Sequence, residues 1–186
     1  MKIIGIHSKE NKLIKLALRK DRIAQKKLFD QFAPKMLGVC RSYVKDVHHA
    51  EDLMISGFLK VFTQLDSYKN QGSFEGWIRT IMIRTCISYL RKKNQIDYSD
   101  NTEVTDLQIV HNLENSGEKE LQSLIDALPA GYKMVFNLFV IEGYSHAEIA
   151  KQLNITESTS KSQLFKARKM LQTNYNERNE FLYGDQ

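Results

Sequence analysis

A chain of 186 residues, 42% apolar and 26% charged, can bury one sizeable core or two small ones. No apolar run approaches the length of a membrane span, and the start, MKIIGIHSKENK, has too short an apolar stretch for a signal peptide, so a cytoplasmic protein without membrane insertion is expected. The net charge of +5 hides an uneven distribution: residues 1–94 hold 19 Lys or Arg against 8 Asp or Glu, residues 95–120 hold 1 against 7, and residues 121–186 hold 7 against 7. A basic front half suits a polyanion, because Lys and Arg that displace phosphate counterions supply affinity regardless of base sequence.

In chain order, Leu28, Phe32, Met36, Cys40, Tyr43 and Val44 form the first apolar helical stripe, with Pro34 inside it as a point of bending. Ala50, Leu53, Met54, Gly57, Phe58, Val61, Phe62 and Leu65 sustain helical spacing through a second helix. A polar loop, YKNQGS, then leads into a third, carrying Phe74, Trp77, Ile78, Ile81, Met82, Thr85, Cys86, Tyr89 and Leu90. These stripes are core, and Trp77 falls on the core side. Cys40 and Cys86 lie on apolar faces and read as buried free thiols rather than as a disulfide or metal site. Residues 95–116 lose all periodicity and hold five acids without one Lys or Arg, which makes them an acidic flexible linker. Helices resume from Lys119, where Leu121, Leu124, Ile125 and Leu128 stop at Pro129, and Tyr132 to Val140 lead to Gly143. With no strand alternation, the fold class is all-α.

Residues 142–171 read as a helix, a tight turn and a second helix. Ile149, Ala150 and Leu153 bury one face of the first; Asn154 tolerates the left-handed backbone of the turn; Ile155 plugs the angle; Thr156 caps the second helix. Ser160, Leu164, Ala167 and Leu171 share its inner face. Ser158, Thr159, Lys161, Ser162, Phe165, Lys166 and Lys169 share the other, and residues 158–171 hold four cations and no acid. A helix-turn-helix places the start of its second helix in the major groove, where such side chains reach base edges and phosphates. The bland alternative is a helical hairpin with a solvated basic face; the missing carboxylates count against it. The five His residues have no metal-ligand spacing, and there is no phosphate-binding glycine loop, nucleophile elbow or paired-carboxylate arrangement. No enzyme activity, metal or cofactor is expected.

Three strings in order, AEDLMISGFLKVF, GSFEGWIRTIMIRTCISYLRKK and LPAGYKMVFNLFVIEGYSHAEIAKQLNITESTSKSQLFKARKML, make the chain resemble the extracytoplasmic-function group of bacterial sigma factors, the promoter-recognition subunits of RNA polymerase. The wording of the last is similar to the Bacteroidetes branch. The resemblance implies a region 2 bundle at residues 1–94, an acidic linker at 95–116, and a region 4 helix-turn-helix at 117–186. It implies core RNA polymerase as partner, with Glu51, Asp52, Leu53, Ile55, Ser56 and Lys60 against the clamp helices of its largest subunit. It implies promoter DNA, single-stranded at the minus-10 element and double-stranded at minus-35. The loop Tyr68, Lys69, Asn70, Gln71, Gly72 and Ser73 would trap an unstacked base, a step costing a few kcal/mol that a fitted pocket returns only for the right base. Arg79, Arg84, Arg91, Lys92 and Lys93 would hold the strand. At minus-35, Ser158, Thr159, Lys161, Ser162, Phe165 and Lys166 would read, with Arg168 and Lys169 nearer phosphate. The linker would thread toward the RNA path of the polymerase or act as a solvated spacer. An anti-sigma factor, in some cases membrane-bound, is the further partner implied.

This chain departs from the family at three places. Ile55 and Ser56 stand where a Gln and an acid are usual, Arg84 where Asn is common, and Ser158 in place of a common Gly. A helix-turn-helix regulator acting without polymerase leaves the first two strings unexplained, and a nucleic-acid enzyme lacks a visible reactive site.

Overall fold

The computed structural model describes residues 3–93 and 117–183, with side chains for residues 9–93 and 121–177. Among these residues every regular element is helical, and the chain divides into two compact units, Met1–Tyr89 and Leu90–Gln186. The expected linker, residues 95–116, lies outside the described residues.

The first unit has four helices, one before the three apolar stripes read along the sequence. Helix α1 (Ile3–Leu18) precedes the first apolar stripe read from the sequence, and it buries Ile14 and Ala17 against α2. A left-handed Lys20 (φ 64°) turns the chain, and Asp21 accepts a 2.8 Å hydrogen bond from Ala24 N to open α2 (Arg22–Tyr43). Pro34 lies within α2, which continues on both sides of it. Asp46 caps α3 (Val47–Thr63) through His49 N at 2.8 Å, and that bond holds its carboxyl below the usual carboxylate range. A 3-10 turn (Leu65–Ser67) and a loop lead to α4 (Phe74–Lys92), whose first turn is capped by Ser73 Oγ accepting from Gly76 N at 3.0 Å.

The core of this unit gathers Leu28, Met36 and Cys40 from α2, Phe58 and Val61 from α3, and Phe74, Ile78 and Met82 from α4. Each such side chain taken from water contributes roughly 1.5–3 kcal/mol. Ile83 and Ile87 are buried as well, so α4 is covered on more than the single stripe its periodicity suggested. Gly57 has a steric reason: a Cβ there would stand 2.2 Å from Met82 Sδ, so any larger residue requires the buried Met82 side chain to move. Cys40 and Cys86 are buried free thiols in hydrogen-bond contact, which pushes the Cys86 thiol up, with burial adding to the effect.

The second unit contains α5 (Gly117–Asp126), α6 (Ala130–Phe136), α7 (His146–Leu153) and α8 (Glu157–Tyr183). Helix α6 runs directly into a π-helical turn (Asn137–Ile141), and Gly143 (φ 75°) then reverses the chain. Leu128, Tyr132 and Ala167 pack together, with Phe136, Met170 and Leu171 against them. An ion pair is buried here: Lys133 Nζ lies 2.5 Å from Asp126 Oδ1, with both side chains under a tenth exposed. Neither charge could stay buried without the other.

Candidate nucleic-acid interface

The helix-turn-helix is built by local chemistry. Ser145 and Glu148 form a complete capping box at the start of α7: Glu148 Oε2 accepts from Ser145 N at 2.8 Å, and Ser145 Oγ accepts from Glu148 N at 3.3 Å. The Ser145 hydroxyl, donating to Glu148 Oε2 at 2.7 Å, and then the Ser145 N–H lower the Glu148 pKa. The turn passes through Asn154 in the left-handed region (φ 56°, ψ 48°), and Thr156 Oγ1 caps α8 by accepting from Thr159 N at 3.0 Å. Ile149 and Leu153 of α7, and Ser160, Leu164 and Ala167 of α8, are buried, as their spacing indicated. A small residue at 160 lets the helices approach, and its hydroxyl meets His146 Nδ1 at 2.9 Å. The His146 ring stacks on Phe139 (centroids 4.5 Å), and the Arg168 guanidinium lies over the same Phe139 ring at 5.7 Å. Burial, then the Lys161 charge, lowers the His146 pKa.

Ser158, Lys161, Phe165, Arg168 and Lys169 are exposed on the outer face of α8, with Thr159, Ser162 and Lys166 half-buried beside them. Phe165 is 69% exposed, an apolar ring held in water with no core to serve. Ser162 Oγ donates to Thr159 O at 3.0 Å, and the Thr159 hydroxyl pairs with that of Thr156 at 2.8 Å, so both keep acceptor capacity facing outward. Lys161 sits 3.9 Å from Glu157, a loose pair that a phosphate can replace.

In the first unit the polar loop is held by its own residues. Asn70 (φ 57°) and Gly72 (φ 84°) reverse the chain twice in three residues, and Tyr68 OH donates to Gly72 O at 3.0 Å. Lys69 to Ser73 are exposed. The Tyr68 ring packs on Phe74 (5.0 Å) and Trp77 (5.4 Å), and burial, with the Glu10 charge behind it, raises the phenol pKa. Trp77, expected on the core side, is only half-buried and joins this cluster. Arg84, Arg91, Lys92 and Lys93 are exposed, and Arg79 is half-buried.

Helix α3 presents Asp52, Ile55, Ser56 and Leu59 outward, with Glu51 half-buried. Two expected members of this surface are turned away. Leu53 is 7% exposed and packs in the core because it lies on the Ala50–Phe58 face, and Lys60 reaches across to donate to Thr85 Oγ1 at 2.9 Å. Leu59 is the residue the sequence reading missed; its signal was the four-residue spacing from Ile55. It is 66% exposed beside Ile55 at 57%.

Residues 28–96 match the family model of sigma-70 region 2, and residues 118–171 match that of sigma-70 region 4. The chain belongs to the sigma-70 family. The matches place α2 from Leu28 onward, α3 and α4 in region 2, and α5 to α8, as far as Leu171, in region 4. Its relatives put this sigma factor in the extracytoplasmic-function group. It is 28% identical over 177 residues to the ECF RNA polymerase sigma factor SigW of Bacillus subtilis, covering 86% of this chain and 93% of that one. It is 27% identical over 130 residues to the RNA polymerase sigma factor SigV of the same species, covering 70% and 78%. Two solved structures share its fold: the sigma factor RpoE in complex with the anti-sigma factor NepR from Bartonella quintana (TM-score 0.53, 21% identity, covering 80% of this chain and 94% of that one), and CnrH in complex with the cytosolic domain of CnrY (0.51, 18%, 88% and 95%).

Proposed function

We propose that this sigma factor joins core RNA polymerase to a promoter through three separate surfaces and carries out no chemistry of its own. The outer face of α3, from Glu51 to Leu59, docks on the clamp helices of the largest subunit. The loop Tyr68–Ser73 takes an unstacked base of the minus-10 element, with Arg79, Arg84, Arg91, Lys92 and Lys93 along the strand. The outer face of α8 reads minus-35. The observation that carries the reading is the joint presence, in one chain, of an outward α3 face, a self-braced polar loop and a capped helix-turn-helix with Phe165 exposed.

The division into residues 1–94, 95–116 and 117–186 follows from the same reading. An anti-sigma factor is proposed as the protein that holds the free chain, supported by the two fold neighbours whose structures contain such partners; a membrane-bound form of it fits a cytoplasmic sigma factor. No helix among the described residues is long and apolar enough to cross a membrane. The Bacteroidetes-like lineage rests on the wording of residues 128–171.

Reconstitution with core polymerase tests the function. Promoter-specific initiation, with the bound DNA sequenced to reveal paired minus-10 and minus-35 motifs, is the expected result. Background transcription together with a tight specific complex of the free chain on duplex DNA would make it a plain regulator.

A further inference from the structure

The hairpin of α1 and α2 begins before the residue at which the region 2 match starts, and none of the three surfaces above uses it. Residues 9–27 hold eight Lys or Arg and two acids, and all eight cations are exposed. Lys12 and Lys15 lie one turn apart on the face of α1 opposite buried Ile14 and Ala17, and Arg19, seven residues after Lys12, follows just past the end of the helix, a row of about 10 Å. Arg22, also exposed, is the first residue of α2 after the turn. Both acids are occupied: Asp21 caps α2 through Ala24 N, and Glu10 accepts from Gln31 at 3.4 Å. Among the described residues none of these four cations has an ion-pair partner.

The fold does not account for the row. Like charges one turn apart on a helix repel, and no Glu or Asp at helical spacing relieves them. Lys15 and Arg19 suit the C-terminal dipole of α1, but Arg22 opposes the N-terminal dipole of α2, where the Asp21 cap is the one acid and the first turn holds none. A phosphate backbone would relieve both. A lipid surface fits less well: a helix lying on a membrane needs a free apolar face, and among the described side chains Ile14 and Ala17 of α1 are packed on α2, with Leu18 and Ile23 the large apolar residues exposed at the turn.

We infer that the row Lys12, Lys15, Arg19 and Arg22 is a sequence-independent binding surface for nucleic-acid phosphates, additional to the surfaces that read minus-10 and minus-35. In the holoenzyme this rests on the sigma-factor reading, and the promoter is the nucleic acid concerned. The surface adds affinity and salt sensitivity without adding preference for any base.

The test compares the full chain with K12Q/K15Q/R19Q and with the charge-conserving K12R/K15R/R19K. Fluorescence anisotropy of the free chain on mixed-sequence single-stranded and duplex oligonucleotides, across a salt series, should give a log–log slope shallower by roughly two units for the neutral variant and an unchanged slope for the charge-conserving one. With core polymerase the neutral variant should show the same shift on promoter DNA, the same promoter motif and unaltered core affinity. An unchanged slope in the neutral variant overturns the proposal. So does an equal loss in both variants, or a loss confined to core affinity or to phosphatidylserine vesicles. The oligonucleotide arm needs no polymerase: a slope difference there with failed initiation overturns the sigma-factor reading and leaves the surface standing, and a flat result beside successful initiation does the reverse.

Discussion

Phe165 separates reading from positioning on the recognition helix. Its ring is 69% exposed, so Phe165→Ala forfeits no core burial and should leave the melting temperature of the second unit unchanged within error. A contact to thymine methyls, by contrast, is worth roughly 1–3 kcal/mol at one base position. Phe165→Ala should therefore alter minus-35 preference with little effect on the salt slope, whereas Lys169→Ala should lower affinity for all sequences and keep the preference. Randomised-promoter selection on the two variants decides it, and an unchanged minus-35 motif for Phe165→Ala would leave the ring without a reading role. His146 gives the same unit a pH dependence. An ordinary imidazole titrates near pH 6.5, and burial beside Lys161 lowers this one in the folded state. Between the two values the unfolded chain binds more protons, so the contribution is complete above about pH 6.5 and is lost as pH falls through the folded value. The melting midpoint of wild type should drop more on going from about pH 7.5 to about pH 5.5 than that of His146→Gln, which cannot titrate. Parallel profiles would remove His146 from this role.

At the scale of the element, α3 carries an atypical pair on the face proposed to dock on polymerase. Ile55 and Ser56 stand where the family usually has polar groups, and the structure leaves Ile55 exposed with Leu59 beside it rather than packed inward. Ile55→Gln/Ser56→Glu should thus change folding stability by less than about 0.5 kcal/mol while tightening core binding. A competition assay for core polymerase in which the double variant binds no better would refute this. The elements that could be read from sequence were those specified by neighbours in the chain. Asn154, Thr156 and Ser160 each set a local feature of the helix-turn-helix, and each was legible. Helix α1 was not, because its apolar pairs are broken by Lys12 and Lys15 and no cap residue marks its start. The π-helical turn at Asn137–Ile141 has no short-range code, since it depends on how α6 is buried. The direction of Lys60 depends on Thr85, 25 residues away, and the inward turn of Leu53 on which α3 face meets α4. Trp77 sat on a helical stripe that suggested core, but its Tyr68 partner comes from a loop whose path only the fold sets.

For the whole molecule, the division of labour between the two units matters more than the net charge of +5. Each unit has its own core, so a substitution in one should leave the fold of the other intact. The charges are arranged accordingly: the cations of the first 94 residues outnumber acids by more than two to one, while in the second unit the stretch 158–171 holds four cations and no acid.

The meeting of Cys40 with Cys86 gives this arrangement a chemical clock. The chain holds two cysteines, and both lie in the first unit, at the seam between α2 and α4 with no exposed sulfur. Alkylation needs a thiolate in contact with water, which the folded seam withholds by burying both sulfurs, and at Cys86 the raised thiol adds to that protection. Maleimide or iodoacetamide should label the native chain only at the rate at which region 2 opens, and opening of region 4 should leave no mark. Labelling followed by mass spectrometry would time one half of the molecule without interference from the other. Core polymerase, by holding region 2 closed, should slow that clock in proportion to its occupancy. Rapid stoichiometric labelling of the native chain would contradict the seam.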